Sequence, residues 1–229
     1  MLLILSVAVL LVGESAFAND LAWLQDSSAS GVTLVLLFLT IFFLTSLLTV
    51  FAVLLKRRRK LQQENRLYFD TLTGLPNRLL FFDRLNQAIA LSKRHVRQCA
   101  LLCIELDGCK QVSSDMGSAA ADELLKKAAT RIGSCCRDSD TLAHLDGYGF
   151  ALLLAEVGGL QGVQNCVEKI LTQMQEPFSL PKGQVKAGVS VGIAFYPDNG
   201  SSAAALFNSA SLAMQQAQGR EGDSYLYAS

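Results

Sequence analysis

The chain has 229 residues, an apolar content of 51% and a formal net charge of +0, with 20 basic and 20 acidic side chains. This length allows one domain of ordinary size plus an appendage, and the apolar content is high for a purely soluble protein. Five positive charges lie in one cluster at residues 56–60, and the segment after it carries 15 basic and 17 acidic residues. That balance offers no basic surface for nucleic acid, so no nucleic-acid partner is expected.

The N-terminal residues 1–18 combine an apolar run with Ala16-Phe17-Ala18, which has the small-x-small form of a signal-peptidase site. No basic residue precedes the apolar run, so a short first membrane helix stays open as the alternative to a cleaved signal peptide. Residues 19–30 then form a short outward segment. This segment is too short to fold as a sensor domain, so an external signal would have to come through a partner or the membrane.

Residues 31–55 are 25 residues without a charge, longer than the roughly 20 that a helix needs to cross a bilayer. The five basic residues directly after them mark the cytoplasmic side. We therefore expect a single transmembrane helix, a basic juxtamembrane linker at 56–69 and a cytoplasmic domain at 70–229. The linker continues the helical pattern. Two structures remain open for it, a solvated linker and a signalling coiled coil, because two turns cannot establish a heptad.

Helical and strand-like patterns alternate in the rest of the chain. Apolar residues at helical spacing begin near Leu79, Leu124, Leu160 and Leu206. Strand-like runs lie between them, at 99–106, 141–145, 150–155, 185–196 and 225–227. The central pair flanks Asp146-Gly147, a strong signal for a two-residue hairpin turn. The order predicts an α+β domain with a mixed sheet and helices packed on it.

The six cysteines follow no zinc-binding spacing and all lie after the basic cluster. We expect reduced, mostly buried thiols in the cytoplasm. The adjacent pair Cys135-Cys136 is expected to pack a helix, with a reactive thiol as the lesser alternative. His144 alternates with Leu142 along a strand, which favours a hydrogen-bonded structural histidine over a catalytic base.

Five collinear segments resemble the GGDEF domain family, the diguanylate cyclases that condense two GTP into cyclic di-GMP. They are Asp70 to Arg78, Ile104 to Lys110, Asp122 to Leu125, Asp146-Gly147-Tyr148-Gly149-Phe150 and Val191 to Pro197. The resemblance covers 70 to about 228 and implies the nucleotidyl-cyclase-like fold. It also implies a protein of the bacterial inner membrane, with the C-terminal domain in the cytoplasm.

The resemblance implies a metal site that has lost acids. In the family, an acid at the end of the first strand corresponds to Glu105, and a backbone carbonyl ligand corresponds to Leu106. The two acids of the hairpin motif correspond to Tyr148 and Gly149. Asp146 replaces the first family glycine, and on a tight turn it is misplaced as a substitute, where even about 1 Å costs on the order of 10²-fold. Because Mg²⁺ demands near-ideal oxygen geometry, we expect no metal and no cofactor, and Mg²⁺ only if the chain is a cyclase after all.

The nucleotide pocket that the resemblance implies has also lost side chains that would contact the base and the phosphates. The guanine-reading Asn of the family corresponds to Ser113, which cannot present a paired donor and acceptor. Its companion acid is kept as Asp122. The phosphate-contacting Lys and Arg near the C-terminus correspond to Gln218 and Gly222, and Arg220 is out of register. The vestigial pocket consists of Glu105, Leu106, Ser113, Asp122 and Gly147, and no residue in it is expected to be catalytic.

A second family feature survives at Arg137-Asp138-Ser139-Asp140, five residues before the hairpin motif. GGDEF domains carry an Arg-x-x-Asp inhibitory site for cyclic di-GMP at this place. A guanidinium can donate two hydrogen bonds to guanine O6 and N7, and a carboxylate can accept from the N1 and N2 edge. Ligand binding through Arg137 and Asp140 and a simple polar surface turn are both open.

Together these features predict a membrane-bound, catalytically inactive signalling protein that acts as a cyclic di-GMP receptor or as an interaction scaffold. Its expected partners are cyclic di-GMP, other signalling proteins and the membrane, and a homodimer is compatible with the sequence. The competing hypothesis is a weakly active diguanylate cyclase that uses Mg²⁺. A domain that binds GTP without turning it over is disfavoured by Ser113 and Gln218.

Overall fold

A computed structural model describes residues 30–218 and 224–228, except for the side chains of 30–33, 35 and 57–66. The predicted signal peptide at 1–18 and nearly all of the outward segment lie outside the described residues. So do Arg220 and Gly222. The chain divides into two units, residues 1–62 and 63–229.

The first unit contains most of a single long helix, α1, which spans Ser30–Tyr68. Within the described residues, the 21-residue segment Leu36–Lys56 is long and apolar enough to cross a membrane, by length and composition, with a mean hydropathy of 2.5. Its three threonine hydroxyls are satisfied internally, because Thr40, Thr45 and Thr49 each donate to the carbonyl three residues back. Internal hydrogen bonding of this kind is what a helix needs in an apolar surrounding.

The second unit consists of helices and strands that alternate along the chain. Its helices are α2 Arg78–His95, α3 Cys109–Met116, α4 Ser118–Gly133, α5 Leu160–Gln175 and α6 Ala203–Gln218. Its strands are β1 Cys99–Leu106, β2 Thr141–His144, β3 Gly149–Leu154, β4 Phe178–Leu180, β5 Gly183–Val185, β6 Val189–Tyr196 and β7 Ser224–Tyr227.

The main sheet has five strands in the order β2-β3-β1-β6-β7. β1 lies at its centre and is antiparallel to both β3 and β6, whereas β6 and β7 are parallel. A parallel neighbour requires a crossover, and α6 supplies it between β6 and β7. β4 and β5 form a separate two-stranded sheet.

Both faces of the main sheet are covered by helices, which produces two hydrophobic clusters. On one face, Ile104 and Phe150 pack with Leu124 of α4 and Val167 of α5. On the other face, Leu101 and Leu153 pack with Phe81 and Leu85 of α2 and with Leu206 of α6. Because β1 is paired on both edges and covered on both faces, its first six residues are all buried, and Glu105 is the half-buried position that follows them.

The predicted α+β class with a mixed sheet flanked by helices is confirmed. The periodicity missed α3 and the β4–β5 hairpin, because a helix of eight residues and strands of three are too short to show a period. The run predicted as one strand at 185–196 is two strands, since Val185 ends β5 and Val189 begins β6.

α6 approaches β6 most closely at Gly192, which pairs with Cys103 of β1. A Cβ atom placed on Gly192 would lie 2.0 Å from the Ala210 carbonyl oxygen and 2.2 Å from the Met214 nitrogen. Both are backbone atoms of α6, so no rotation of a side chain can relieve the overlap. The contact between helix and sheet therefore requires glycine at this position.

We expect Gly192→Ala to lower the free energy of unfolding of fragment 63–229 by about 3 kcal/mol, the upper part of the range for overpacking. Gly162→Ala is the matched control, since Gly162 lies inside α5 with nothing within 4 Å of the added Cβ. It should raise stability by roughly 0.5 to 1 kcal/mol. Urea unfolding curves measure both, and equal stability of the two variants would contradict the close-contact argument.

Candidate functional site

The end of β1 carries the retained acid, Glu105, which is half-buried. In the strand register Glu105 lies opposite Gly149 of β3 on one side and Ser190 of β6 on the other. The next residue, Leu106, is 2% exposed, and its N–H donates to the Tyr148 carbonyl oxygen at 3.1 Å. The structure thus brings Glu105 and Leu106 against the β2–β3 hairpin, as the resemblance implies.

The hairpin tip, residues 146–148, is a three-residue turn rather than the predicted two-residue turn. The Leu145 N–H donates to the Gly149 carbonyl at 3.0 Å, and the Gly149 N–H donates to the Asp146 carbonyl at 3.1 Å. Within this described loop only Gly147 has a positive φ, at 60°. A two-residue type I′ turn, the form that Asp-Gly favours, needs positive φ at two consecutive residues, which Asp146 does not adopt, so the loop takes one more residue.

The two positions that hold acids in the family supply no carboxylate here. The Tyr148 side chain is half-buried and packs against the apolar cluster that contains Phe150. Gly149 has no side chain, and a Cβ there would lie 3.3 Å from the Asp146 carbonyl oxygen. The carboxylate of Asp146 is 84% exposed and lies 3.7 Å from Nη1 of Arg78. Asp146 therefore faces Arg78 of α2.

The remaining acid near Glu105 already has a hydrogen-bond partner. Asp107 accepts from the Ser190 hydroxyl at 2.8 Å, and its N–H donates to the Gly188 carbonyl. Within the described part of the chain, no group of three His, Cys, Asp or Glu side chains could hold a metal ion. The donor set at the end of β1 thus fits a divalent ion poorly, because hard cations take several converging oxygens.

The predicted base- and phosphate-contacting positions lie on three different helices. Ser113 is half-buried on α3, and its carbonyl accepts from Gly117. Asp122 is exposed on α4, and Gln218 is the exposed last residue of α6. Gly147, the remaining position of the vestigial pocket, lies in the exposed hairpin tip.

The Arg-x-x-Asp segment forms an ordered turn between α4 and β2. The Arg137 N–H donates to Oδ2 of Asp140 at 2.9 Å, and the Asp140 N–H donates back to the Arg137 carbonyl at 3.0 Å. These two bonds fix the carboxylate relative to the backbone of Arg137. The Arg137 side chain is exposed and Asp140 is half-buried.

Arg137 and Asp140 line a cleft of about 220 Å³ together with residues of β3 and α5. Its other polar side chains are Glu156, Asn165 and Lys169. The Lys169 ammonium donates to the Ser134 carbonyl at 3.2 Å, which places this charge beside the end of α4. The volume is below the roughly 300 Å³ of a typical whole-ligand cavity, so it suits one ring system of a larger ligand.

Sequence reasoning missed Asn165 and Lys169, since no motif joins them to Arg137. One signal was present, because the apolar positions Val163, Val167 and Ile170 define the buried face of α5. That pattern leaves residues 165 and 169 outside the buried face of α5. It does not indicate which helix neighbours α5, which only the fold shows.

The cysteines are free thiols, four buried and two half-buried, as predicted. Cys135 and Cys166 line the cleft beside Arg137. Burial, with Cys166 and Asp140 next in effect, raises the pKa of Cys136 to about 12. Burial and the Asp140 charge likewise raise the pKa of Cys166 to about 11. Thiols with such values carry almost no thiolate at neutral pH, which favours packing over reactivity.

His144 is 7% exposed and hydrogen-bonded on β2, as expected of a structural histidine. Its Nε2 lies 3.2 Å from the Gly147 carbonyl oxygen, and its Nδ1 lies 3.1 Å from Oδ1 of Asp70. The residue therefore connects the hairpin tip to the turn that precedes α2.

The family model described as "Diguanylate cyclase, GGDEF domain" matches residues 67–224. The diguanylate cyclase TpbB of Pseudomonas aeruginosa is 37% identical over 161 residues, which cover 68% of this chain and 37% of TpbB. The bifunctional diguanylate cyclase/cyclic di-GMP phosphodiesterase MucR of the same organism is 39% identical over 155 residues, 67% of this chain and 22% of MucR. The chain thus spans about a third of TpbB and a fifth of MucR.

Solved structures agree with this match. The crystal structure of the TpbB GGDEF domain is 35% identical, with a TM-score of 0.67, and covers 69% of this chain and 98% of that domain. The coiled coil and GGDEF domain of DgcB from Caulobacter crescentus, solved with cyclic di-GMP, is 20% identical and shares the fold, with a TM-score of 0.71 over 81% of this chain and 99% of that one. By its sequence match and by its fold, the chain belongs to the GGDEF domain family.

Proposed function

We propose that the protein is a membrane-bound GGDEF-domain protein of cyclic di-GMP signalling that has lost turnover and acts as a cyclic di-GMP receptor or as an interaction scaffold. The observation that carries the receptor version is the cleft at Arg137 and Asp140. There a fixed carboxylate, an exposed guanidinium and the Lys169 ammonium line one recess.

The chemistry of this cleft suits half of a cyclic dinucleotide. The Arg137 guanidinium can donate to guanine O6 and N7, while the free oxygen of Asp140 can accept from N1 and N2. Its second oxygen is already bonded to the Arg137 N–H. Lys169 supplies a positive charge for a phosphate, and a recess of about 220 Å³ leaves the rest of the ligand at the surface.

The loss of turnover rests on the hairpin. Cyclic di-GMP forms when the 3′-hydroxyl of each GTP attacks the α-phosphorus of the other and pyrophosphate leaves, and both steps need metal ions to neutralise the triphosphate and the developing charge. Glu105 is the one family acid kept at the strand end, and Tyr148 and Gly149 bring no oxygen that could replace the other two. Even loss of an outer-shell partner costs roughly 10 to 100-fold in metal affinity or activity, so loss of direct ligands should cost more.

Membrane attachment rests on α1. The segment Leu36–Lys56 has the length and composition of a span, and the basic residues 56–60 follow it. We therefore place the GGDEF domain in the cytoplasm of a bacterium, at the inner membrane, in single-pass topology, with residues 1–18 as a signal peptide or first membrane helix.

Titration of fragment 63–229 with cyclic di-GMP tests the receptor version. We expect heat of binding at protein concentrations near 100 μM, which corresponds to about −5.5 kcal/mol or better. Arg137→Ala should weaken binding about tenfold or more, the effect of losing a charge-assisted hydrogen bond. Arg94→Ala is the matched control, because Arg94 is exposed at the end of α2 and is not among the residues that line the cleft, and it should bind like the parent.

Absence of heat at this concentration would reject the receptor version and leave the scaffold version. If Arg94→Ala and Arg137→Ala weaken binding equally, the interaction is nonspecific charge attraction.

Incubation of the same fragment with GTP and Mg²⁺ or Mn²⁺ tests the competing cyclase hypothesis. That hypothesis is favoured by the retained Glu105 and by the cyclase relatives. We expect no cyclic di-GMP by chromatography. Product that is lost in Glu105→Ala and kept in the control Glu123→Ala would mean that the domain is a weak diguanylate cyclase. Glu123 is a suitable control because it is half-buried on α4 and paired with Lys127 at 3.5 Å.

Fusions at the C-terminus test the topology. We expect a fluorescent-protein fusion after residue 229 to be bright and an alkaline-phosphatase fusion to be inactive, since the basic cluster holds its side of the span in the cytoplasm. Replacing residues 56–60 by glutamine should weaken this bias. An active phosphatase fusion in the unchanged protein would contradict the topology.

A further inference from the structure

Both ring nitrogens of His144 face oxygen atoms that can only accept. Nε2 lies 3.2 Å from the Gly147 carbonyl oxygen, and Nδ1 lies 3.1 Å from the Asp70 carboxylate. A neutral imidazole carries one proton, so one of its nitrogens would turn a lone pair toward an oxygen. Only the doubly protonated ring can donate to both partners.

Asp70 is suited to hold the protonated ring. Burial raises the pKa of this carboxyl, but hydrogen bonds from the Thr73 hydroxyl and N–H, with His144, outweigh that effect, and the net pKa is lowered. Asp70 is therefore ionised throughout the range in which an imidazole changes charge, between about pH 5 and 8.

Other charged groups near β2 have partners of their own. On α2, Arg84 donates to the Thr141 hydroxyl and Arg78 lies near Asp146. On α4, Lys127 pairs with Glu123, and Arg131 donates to the carbonyls of residues 173, 176 and 177. β3 presents the Phe150 ring, 5.3 Å from the imidazole centroid. Asp70 is thus the ionised group that contacts His144.

We propose that His144 is a pH-sensitive link between the turn at residues 70–76 and the hairpin tip, closed when the ring carries two protons. When the pH rises and one proton leaves, the other stays on Nδ1, where the carboxylate charge attracts it most strongly. Nε2 then has no proton to donate, and the Gly147 carbonyl loses its partner. The tip is held at lower pH and released at higher pH.

Backbone bonds hold other parts of the two segments: in the tip, the Tyr148 carbonyl accepts from the Leu106 N–H of β1 at 3.1 Å, so the titrating bond acts on the Gly147 end of the tip. The turn at 70–76 is closed by the Asp70 N–H to the Leu75 carbonyl at 2.8 Å and by the Gly74 N–H to the Asp70 carbonyl at 3.0 Å. The His144 N–H also donates to the Pro76 carbonyl at 3.0 Å. That backbone bond does not titrate, so release at high pH affects the tip and leaves the strand attached.

Amide hydrogen exchange of the full chain in lipid nanodiscs tests the link. The rate at Gly147, Tyr148 and Gly149 is divided by the intrinsic rate at each pH, and the resulting protection is compared from pH 6 to pH 8. We expect protection to fall about tenfold as pH rises, the effect of one charge-assisted hydrogen bond. His144→Gln should remove the pH dependence, because glutamine does not titrate.

The matched control is His95→Gln, since the chain has only two histidines and His95 is exposed at the end of α2. It should keep the full pH dependence of the parent. Protection that does not change with pH in the parent, or that changes equally in His144→Gln, would overturn the proposal. So would a pH dependence that disappears in His95→Gln.

A second measurement needs no substitution at residue 144. Nitrogen NMR of histidine-labelled His95→Gln contains one histidine signal set, that of His144. We expect two protonated ring nitrogens at pH 6 and one, at Nδ1, at the upper end of the range. A neutral ring at pH 6, or a ring whose single remaining proton is on Nε2, would overturn the link as described.

Discussion

The enclosure of β1 is the constraint on which the rest of the domain depends. The strand pairs with β3 and β6 along its edges and is covered by helices on both faces, so its backbone and its apolar side chains are removed from water together. Only near its end does a polar side chain, Glu105, interrupt the burial. The register then places that residue beside the hairpin, which is why the family's chemistry would be located there.

The hairpin retains its shape without its acids because backbone groups hold it. The bonds Leu106 to Tyr148, Leu145 to Gly149 and Gly149 to Asp146 involve no side chain. One glycine, Gly147, supplies the single left-handed position. The turn at Arg137 and Asp140 is closed by its own pair of bonds, so neither this turn nor the hairpin needs the other to keep its shape.

The fold class followed from the sequence because long amphipathic helices and enclosed apolar strands leave clear periods, and the described elements agree with them. Elements of three to eight residues, such as β4 and α3, were not predictable because they contain too few turns or alternations. The positions of Glu105, Arg137 and Asp140 followed from the family resemblance. Lys169 and Arg137 line the same cleft because of how the helices pack. The spacing of residues along the sequence does not contain that information.

The backbone support of the hairpin also has an evolutionary consequence. A domain whose active turn is maintained by main-chain bonds can exchange two acidic side chains for a phenol and a hydrogen without refolding. The turn at Arg137 and Asp140 is closed by its own backbone and carboxylate bonds, so its shape does not depend on the two exchanged side chains.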